Sequence, residues 1–230
     1  MKKSNILIVC LIAFSFIAMI GSGLSLKTQF DKIDRNDPYA GFEKTKLKDF
    51  KYVKLSGNYY GLTRITYGSE PEIKVLDMKN TDNSPIVSWK MSGDTLMVDY
   101  KLKGQKAEFG EYSYGSSPNV YIMVSKLSGV NSNGITTAIQ GVKADSFLLE
   151  QKGFGVTLKD NDIKQLSTTI HSGANLTIEA KNKLDQTTLY VKDSSSVRID
   201  QDVFHSFRLK ADPSVQINLP GSLIKKMTAL

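Results

Sequence analysis

The side chains best equipped for chemistry are few: two histidines, His171 and His205, and closely spaced carboxylates at Asp160/Asp162, Asp193 and Asp200/Asp202. A zinc-type site needs several such ligands to converge. The histidines fall at offset positions in neighbouring repeats, His171 at a turn before Ser172-Gly173 and His205 in a connection before Ser206. Asp160-Asn-Asp162 offers oxygen ligands for a hard cation, but the glycine–aspartate repeats of calcium-binding rolls are missing around it. Aspartates at such places more often bond the local backbone and shape a turn, and that is the reading adopted. No Gly-x-Ser-x-Gly elbow, phosphate-cradling glycine loop, His-Glu-x-x-His or dinucleotide fingerprint occurs. The sequence therefore assigns no catalytic residue, no metal ligand and no cofactor.

Aromatic residues are the stronger binding lead. Tyr59, Tyr60 and Trp89 fall in strand-like stretches, where an aromatic ring usually packs. Tyr112 and Tyr114 lie in the least patterned part of the chain, Gly104 to Pro118, and, being next but one to each other, they share a face if that loop is extended. Flat sugar faces stack on such rings, so Tyr112 and Tyr114 are the candidate ligand-binding residues.

These residues hang on a repeating framework. Four stretches, Ser146–Leu158, Ser167–Ile178, Thr188–Ile199 and Ser206–Ile217, look alike. Taking Val156, Leu176, Val197 and Val215 as equivalent gives a period of roughly 20 residues, with the last step the shortest. One further period back from Val156 lies Ile135. Each stretch holds two apolar clusters separated by Gly, Ser or Asp, and no single one can bury both of its faces. The expectation is an all-β, single-domain parallel β-solenoid (β-helix) with rungs of about 18–21 residues. Upstream, alternating apolar and polar residues predict strands at 50–55, 62–67, 73–76, 86–91, 95–102 and 120–124.

The N-terminus sets the compartment. Met1-Lys2-Lys3 precedes an uncharged apolar run from Ile6 to Ile20, and then come Gly21, Ser22, Gly23 and Ser25. This is the layout of a bacterial export signal, and the apolar stretch extended to Leu26 is also long enough to stay as an anchor. Cys10, the only cysteine, lies inside that stretch behind Val9, which does not suit lipid attachment. The exported part is left without disulfides or thiol chemistry. Of the formal charge of +7, Lys2 and Lys3 supply two, and the remaining charges are interspersed along the chain rather than gathered into a nucleic-acid footprint. The expected organisation is 1–26 signal peptide or membrane anchor, 27–49 linker or N-terminal cover, 50–219 β-solenoid and 220–230 C-terminal cap.

The order of these pieces resembles the auto-transporter adhesin head GIN domain family. The residues that carry the resemblance are Phe50-x-x-Val53-x-Leu55-Ser56-Gly57, Leu62-Thr63-Arg64-Ile65-x-Tyr67-Gly68, Ile73-Lys74-Val75, Ser92-Gly93-Asp94-Thr95-Leu96 and Val120-Tyr121-Ile122-x-Val124. Lys152-Gly-Phe-Gly155 and Ala211-Asp-Pro-Ser214 stand where Ser-Gly corners are expected. The resemblance implies a β-helical exported domain with an adhesive role and no catalytic residues. The functional expectation is a non-enzymatic, adhesin-like binding or display domain of the bacterial cell envelope. Its partners would be a surface glycan or an envelope protein, not nucleic acid, with membrane contact only through residues 1–26. Two alternatives stand beside it: a carbohydrate-active solenoid enzyme of polysaccharide-lyase type, and a membrane-anchored structural component of an envelope complex.

Overall fold

The structure is a computed structural model that describes residues 3–31, 37–57, 62–103 and 117–228. The chain divides into two units, Met1–Gly41 and Phe42–Leu230. The first holds helix α1 (Lys3–Phe30), with Lys27 in its last turn. Its apolar side chains are exposed all round rather than along one stripe, as expected of a helix whose surroundings are themselves apolar. Asp37 then closes a turn by accepting the Tyr39 backbone N–H at 2.9 Å.

The second unit begins with strands β1 (Phe42–Lys46), β2 (Tyr52–Gly57), β3 (Leu62–Tyr67), β4 (Glu72–Leu76), β5 (Val87–Ser92), β6 (Thr95–Tyr100) and β7 (Val120–Val124). Ten more follow: β8 (Gly129–Asn133), β9 (Thr136–Gln140), β10 (Lys143–Lys152), β11 (Val156–Lys159), β12 (Asp162–His171), β13 (Asn175–Ile178), β14 (Lys183–Val191), β15 (Ser196–Ile199), β16 (Phe204–Ala211) and β17 (Gln216–Asn218). Helix α2 (Gly221–Thr228) ends the described chain. From β8 onward the strands alternate between two sheets. The nine-stranded sheet has the order β1-β4-β7-β3-β9-β11-β13-β15-β17, and the eight-stranded sheet β16-β14-β12-β10-β8-β2-β6-β5.

This architecture corrects the expected all-β parallel solenoid. The protein is mixed α/β, built on two large mixed sheets with two helices, and the pairs β1–β4, β4–β7 and β5–β6 are antiparallel. The repeat seen in the sequence describes only the strands from β8 on. Upstream, β2 and β3 pair both with β6 and β7 and with β8 and β9, so the excursion through β4 and β5 breaks the sequential order. Alternating burial looks the same in parallel and antiparallel neighbours, which is why the pattern alone did not distinguish them. The register also differs in detail: Val197 pairs with Ile217 rather than standing level with Val215, and Val156 pairs with Thr137 rather than Ile135.

The inner faces of the two sheets share one apolar cluster. Along the eight-stranded sheet the register aligns Leu96, Val53, Val130, Leu149, Thr168 and Leu189. Along the nine-stranded sheet it aligns Ile65, Ile139, Leu158, Ile178 and Ile199. Some of the polar groups that enter this interior find partners there. The Tyr100 hydroxyl reaches Thr63 on the opposite sheet, Thr137 bonds Ser132 at 3.0 Å, and Gln151 donates to the Ile135 and Phe154 carbonyls at 3.1 Å.

The crossings from the nine-stranded to the eight-stranded sheet hold two buried amides. Asn161, 1% exposed, accepts the Val142 backbone N–H at 2.9 Å and donates to the Ile139 carbonyl at 3.0 Å. Asn182, in the next crossing, accepts both the Asn161 backbone N–H and its side-chain amide at 3.0 Å. It donates in turn to the Leu158 and Glu179 carbonyls at 2.8 and 2.7 Å. Each amide thus satisfies buried backbone groups that no strand ladder reaches. One crossing later the register places Asp202 at this position, where it accepts the Phe204 N–H at 3.2 Å and lies 3.5 Å from Lys226 of α2. Leu223, also on α2, is fully buried.

Two substitutions separate satisfied from unsatisfied polar groups in this interior. Asn161→Ala takes the side-chain partner from the Val142 backbone N–H and the Ile139 carbonyl, while the Asn182 amide oxygen keeps the residue-161 backbone N–H, and it should cost roughly 2–4 kcal/mol in urea unfolding. Thr168 and Thr187 carry buried hydroxyls with no hydrogen-bond partner, so Thr168→Val should leave stability unchanged or raise it by about 1 kcal/mol. A loss of stability in Thr168→Val as large as that in Asn161→Ala would contradict this account.

Candidate binding surface

Strand alternation places one set of residues from the eight-stranded sheet in the core and the other on an open outer face. The paired register arranges the outer set in rows. The first runs Thr95, Tyr52, Gly129, Leu148, Ser167, Thr188 and Arg208. Tyr52 and Leu148 remain 41% and 56% exposed, large for an aromatic and an aliphatic side chain on a strand. Gly129 lies between them, and a Cβ there would stand 2.9 Å from the Leu148 carbonyl oxygen and 3.3 Å from the Tyr52 ring. The absent side chain lets the ring and the leucine approach each other across the intervening strand.

The second row runs Met97, Lys54, Asn131, Glu150, Thr169, Tyr190 and Lys210. Asn131 donates to Glu150 at 2.6 Å, and the Lys210 ammonium sits 5.4 Å from the centre of the Tyr190 ring, within cation–π range. In the third row Lys152 pairs with His171, and Lys192 directly follows Val191, the partner of Ile170. His171 Nε2 lies 3.8 Å from Glu150 and Nδ1 lies 3.1 Å from the Ser172 hydroxyl. The surface therefore offers rings, amides, hydroxyls and ammonium groups on a broad open sheet.

At one margin of this face the long strands bend, because Asp145-Ser146, Lys164-Gln165 and Asp185-Gln186 each turn two consecutive residues outward. There Lys164 pairs with Asp145 at 2.6 Å. The hydrogen bond and charge of Lys164 hold the Asp145 carboxyl below the usual carboxylate range. The same hydrogen bond and charge raise Lys164, with smaller contributions from Asp185 and Asp162.

The sequence candidates take different places. Tyr112 and Tyr114 lie outside the described residues, as do Tyr59 and Tyr60. Trp89 is on the edge strand β5, facing the same side as the core residues and 36% exposed. His205 belongs to β16 rather than a connection, and His171 ends β12. The aspartates serve local structure: Asp160 and Asp193 occupy left-handed turn positions, and Asp200 accepts the Arg198 guanidinium at 2.9 Å. Among the described residues no three His, Cys, Asp or Glu side chains are grouped to hold a metal. Tyr52, Leu148 and Tyr190 were not singled out from the sequence. Their shared parity with Lys54, Glu150 and Thr188 was the available signal, but parity names an outer face only once the strands are aligned.

No family model matches the sequence, and no curated protein matches it either. Solved structures show a distant likeness. A "putative adhesin" from Bacteroides fragilis aligns over 78% of this chain and 96% of its own, at 13% identity and a TM-score of 0.37. A "putative adhesin" from Parabacteroides merdae aligns over 78% and 95%, at 13% identity and a TM-score of 0.32. A "putative lipid binding protein" from Parabacteroides distasonis aligns over 79% and 94%, at 14% identity and a TM-score of 0.34. At these identities and scores the likeness transfers neither a fold assignment nor a function to this chain.

The Asp145–Lys164 pair gives a direct test of the geometry at the bend. The depressed folded-state Asp145 pKa contributes stability above the ordinary carboxylate value, lost as pH falls through the folded value. The raised Lys164 pKa contributes below the ordinary lysine value, lost as pH rises through its own folded value. The pair therefore acts between about pH 4 and pH 10. An NMR titration should find Asp145 below the ordinary range and Lys164→Met should return it; an unmoved Asp145 would remove the pair from the account.

Proposed function

We propose that this chain is an exported, non-enzymatic binding domain of the cell envelope, and that the outer face of the eight-stranded sheet is the surface it presents. The observation that carries the proposal is the exposed pair Tyr52 and Leu148, set in rows of amides, hydroxyls and ammonium groups on a sheet whose opposite face is core. Rings on a flat face suit the faces of sugar rings, and flanking amides and hydroxyls suit their hydroxyl groups. Helix α1 supports the cellular setting, since Ile6–Phe30 is long and apolar enough to cross a membrane and lies near the N-terminus. The basic start, Lys2-Lys3, would stay on the cytoplasmic side of such a helix. The resemblance of the sequence motifs from Phe50 to Val124 to the auto-transporter adhesin head GIN domain family points the same way. An open face on which His171 is engaged by Ser172 and Glu150 is better suited to holding a polymer than to cleaving it.

Two measurements test the proposal. The full chain in neutral detergent micelles, applied to an array of envelope and host-surface glycans, should bind a subset, and Tyr52→Ala with Tyr190→Ala should weaken binding about tenfold. Bound glycan should be recovered with no new chain ends. A blank array, binding indifferent to both tyrosines, or cleaved glycan would each overturn the reading. Separately, deletion of residues 1–26 should leave the protein in the cytoplasmic fraction, whereas the full chain should appear in the envelope or outside the cell.

A further inference from the structure

Both sheets carry ion pairs, but the eight-stranded one also presents a group of cations that has none. On the nine-stranded sheet Lys46 meets Glu70 at 2.7 Å, Lys74 Glu72 at 3.2 Å, Lys159 Glu179 at 3.9 Å and Arg198 Asp200 at 2.9 Å, and Arg64 stands over the Tyr121 ring at 5.8 Å. On the eight-stranded sheet Lys54, Lys152, Lys192 and Arg208 are exposed, and among the described residues no carboxylate stands within ion-pair distance of any of them. Of the acids of that sheet, Asp99 is engaged by Lys101 at 2.9 Å and Ser56 at 3.1 Å, Asp145 by Lys164 at 2.6 Å and Glu150 by Asn131 at 2.6 Å, while Asp212, next to Ala211, the partner of Val191, stands level with Lys192 beyond ion-pair distance. Lys152 and Lys192 flank His171 on the same row, two strand spacings or about 9.6 Å apart. That is slightly beyond the Debye length of about 8 Å at physiological ionic strength, so the two ammonium groups are largely screened from each other, and each is free to meet a separate anionic group of a chain laid along the row.

We infer that the outer face of the eight-stranded sheet binds a linear, carboxylate-bearing glycan, with Lys152 and Lys192 holding successive anionic groups and Tyr52 and Tyr190 stacking on sugar rings. The inference rests on the reading of this face as a binding surface and adds the charge class of its ligand. The rings, with Asn131 and Thr169 of the second row and Thr188 of the first, favour a polymer with sugar faces and hydroxyls over a bare phosphate chain.

The test uses the full chain in neutral detergent micelles against immobilised polygalacturonate, neutral dextran and inorganic polyphosphate. Polygalacturonate should bind, more weakly as salt rises. Lys152→Glu with Lys192→Glu should lower its affinity about tenfold or more, and Lys152→Gln with Lys192→Gln should lower it in the same direction. Lys159→Glu with Arg198→Glu makes the same charge change on the nine-stranded face and should leave affinity within about twofold. Thermal melting of each variant identifies any that fails to fold, in which case the glutamine pair decides. Equal losses from reversal on either face, no binding to polygalacturonate, or equal binding to polyphosphate would each overturn the inference. If neutral glycans bind through Tyr52 and Tyr190 while polygalacturonate does not, only the charge class is wrong. If neither binds, the underlying reading of the face fails as well.

Discussion

Where the chain passes from one sheet to the other, its backbone leaves the strand ladders while still buried. Those peptide groups need partners, and no water is at hand to supply them. The amides of Asn161 and Asn182 meet this need by bonding backbone groups on both sides of the crossing and each other across consecutive crossings. The stacking of strands β10 to β14 depends on this arrangement. A shift of either strand by a single position would separate the amides from their partners and turn the core residues outward. The polar link thus reinforces the register that apolar packing alone prefers. At the final crossing an aspartate and a lysine from helix α2 occupy the corresponding place, so the charge there is met by a charge rather than by another amide.

Much of the strand pattern was legible in the sequence because alternating burial imprints itself on composition. The stretches around Val53, Ile65, Leu96 and Ile122 are strands in the structure, and each buries those residues fully or nearly so. The sheet order was not legible. Nothing local to β2 announces that it lies between β6 and β8, since that fact is decided by which apolar faces meet after closure of long loops. The apparent shortening of the repeat at Val215 was an error of the same origin. Partnership is set by the ladder, which joins Val197 to Ile217, and the intervening turn absorbs the difference in length. The strand at Phe42–Lys46 was also hidden, because most of its side chains are exposed and alternation is correspondingly faint.

The candidate surface was harder to read for a related reason. Tyrosines in an unpatterned loop attract attention, whereas a tyrosine in a strand is usually assigned to packing. Tyr52 and Tyr190 sit in strands, yet they share the outward parity of lysines and threonines on neighbouring strands, and only the aligned register shows that they belong to one face. Electrostatic contrast was equally invisible in one dimension. Basic residues are interspersed along the sequence, and only the fold shows that Lys159 and Lys164 meet a carboxylate while Lys152 and Lys192 stand exposed without an ion pair.

The interleaving of β2 and β3 has a consequence for a chain that is synthesised from its N-terminus. Val53 lies between Leu96 on one side and Val130 on the other, and Thr63 between Val120 and Thr137. Both neighbours of each strand come later in the chain. As the chain lengthens, both edges of β2 are open until β6 follows and both edges of β3 until β7 follows, and one edge of each stays open until β8 and β9, through Gln140, have followed; an open edge invites pairing with any other extended chain. The first strands of the second unit are thus fully paired only when the middle of the chain has followed, and the later strands then add one by one to edges that are already in place.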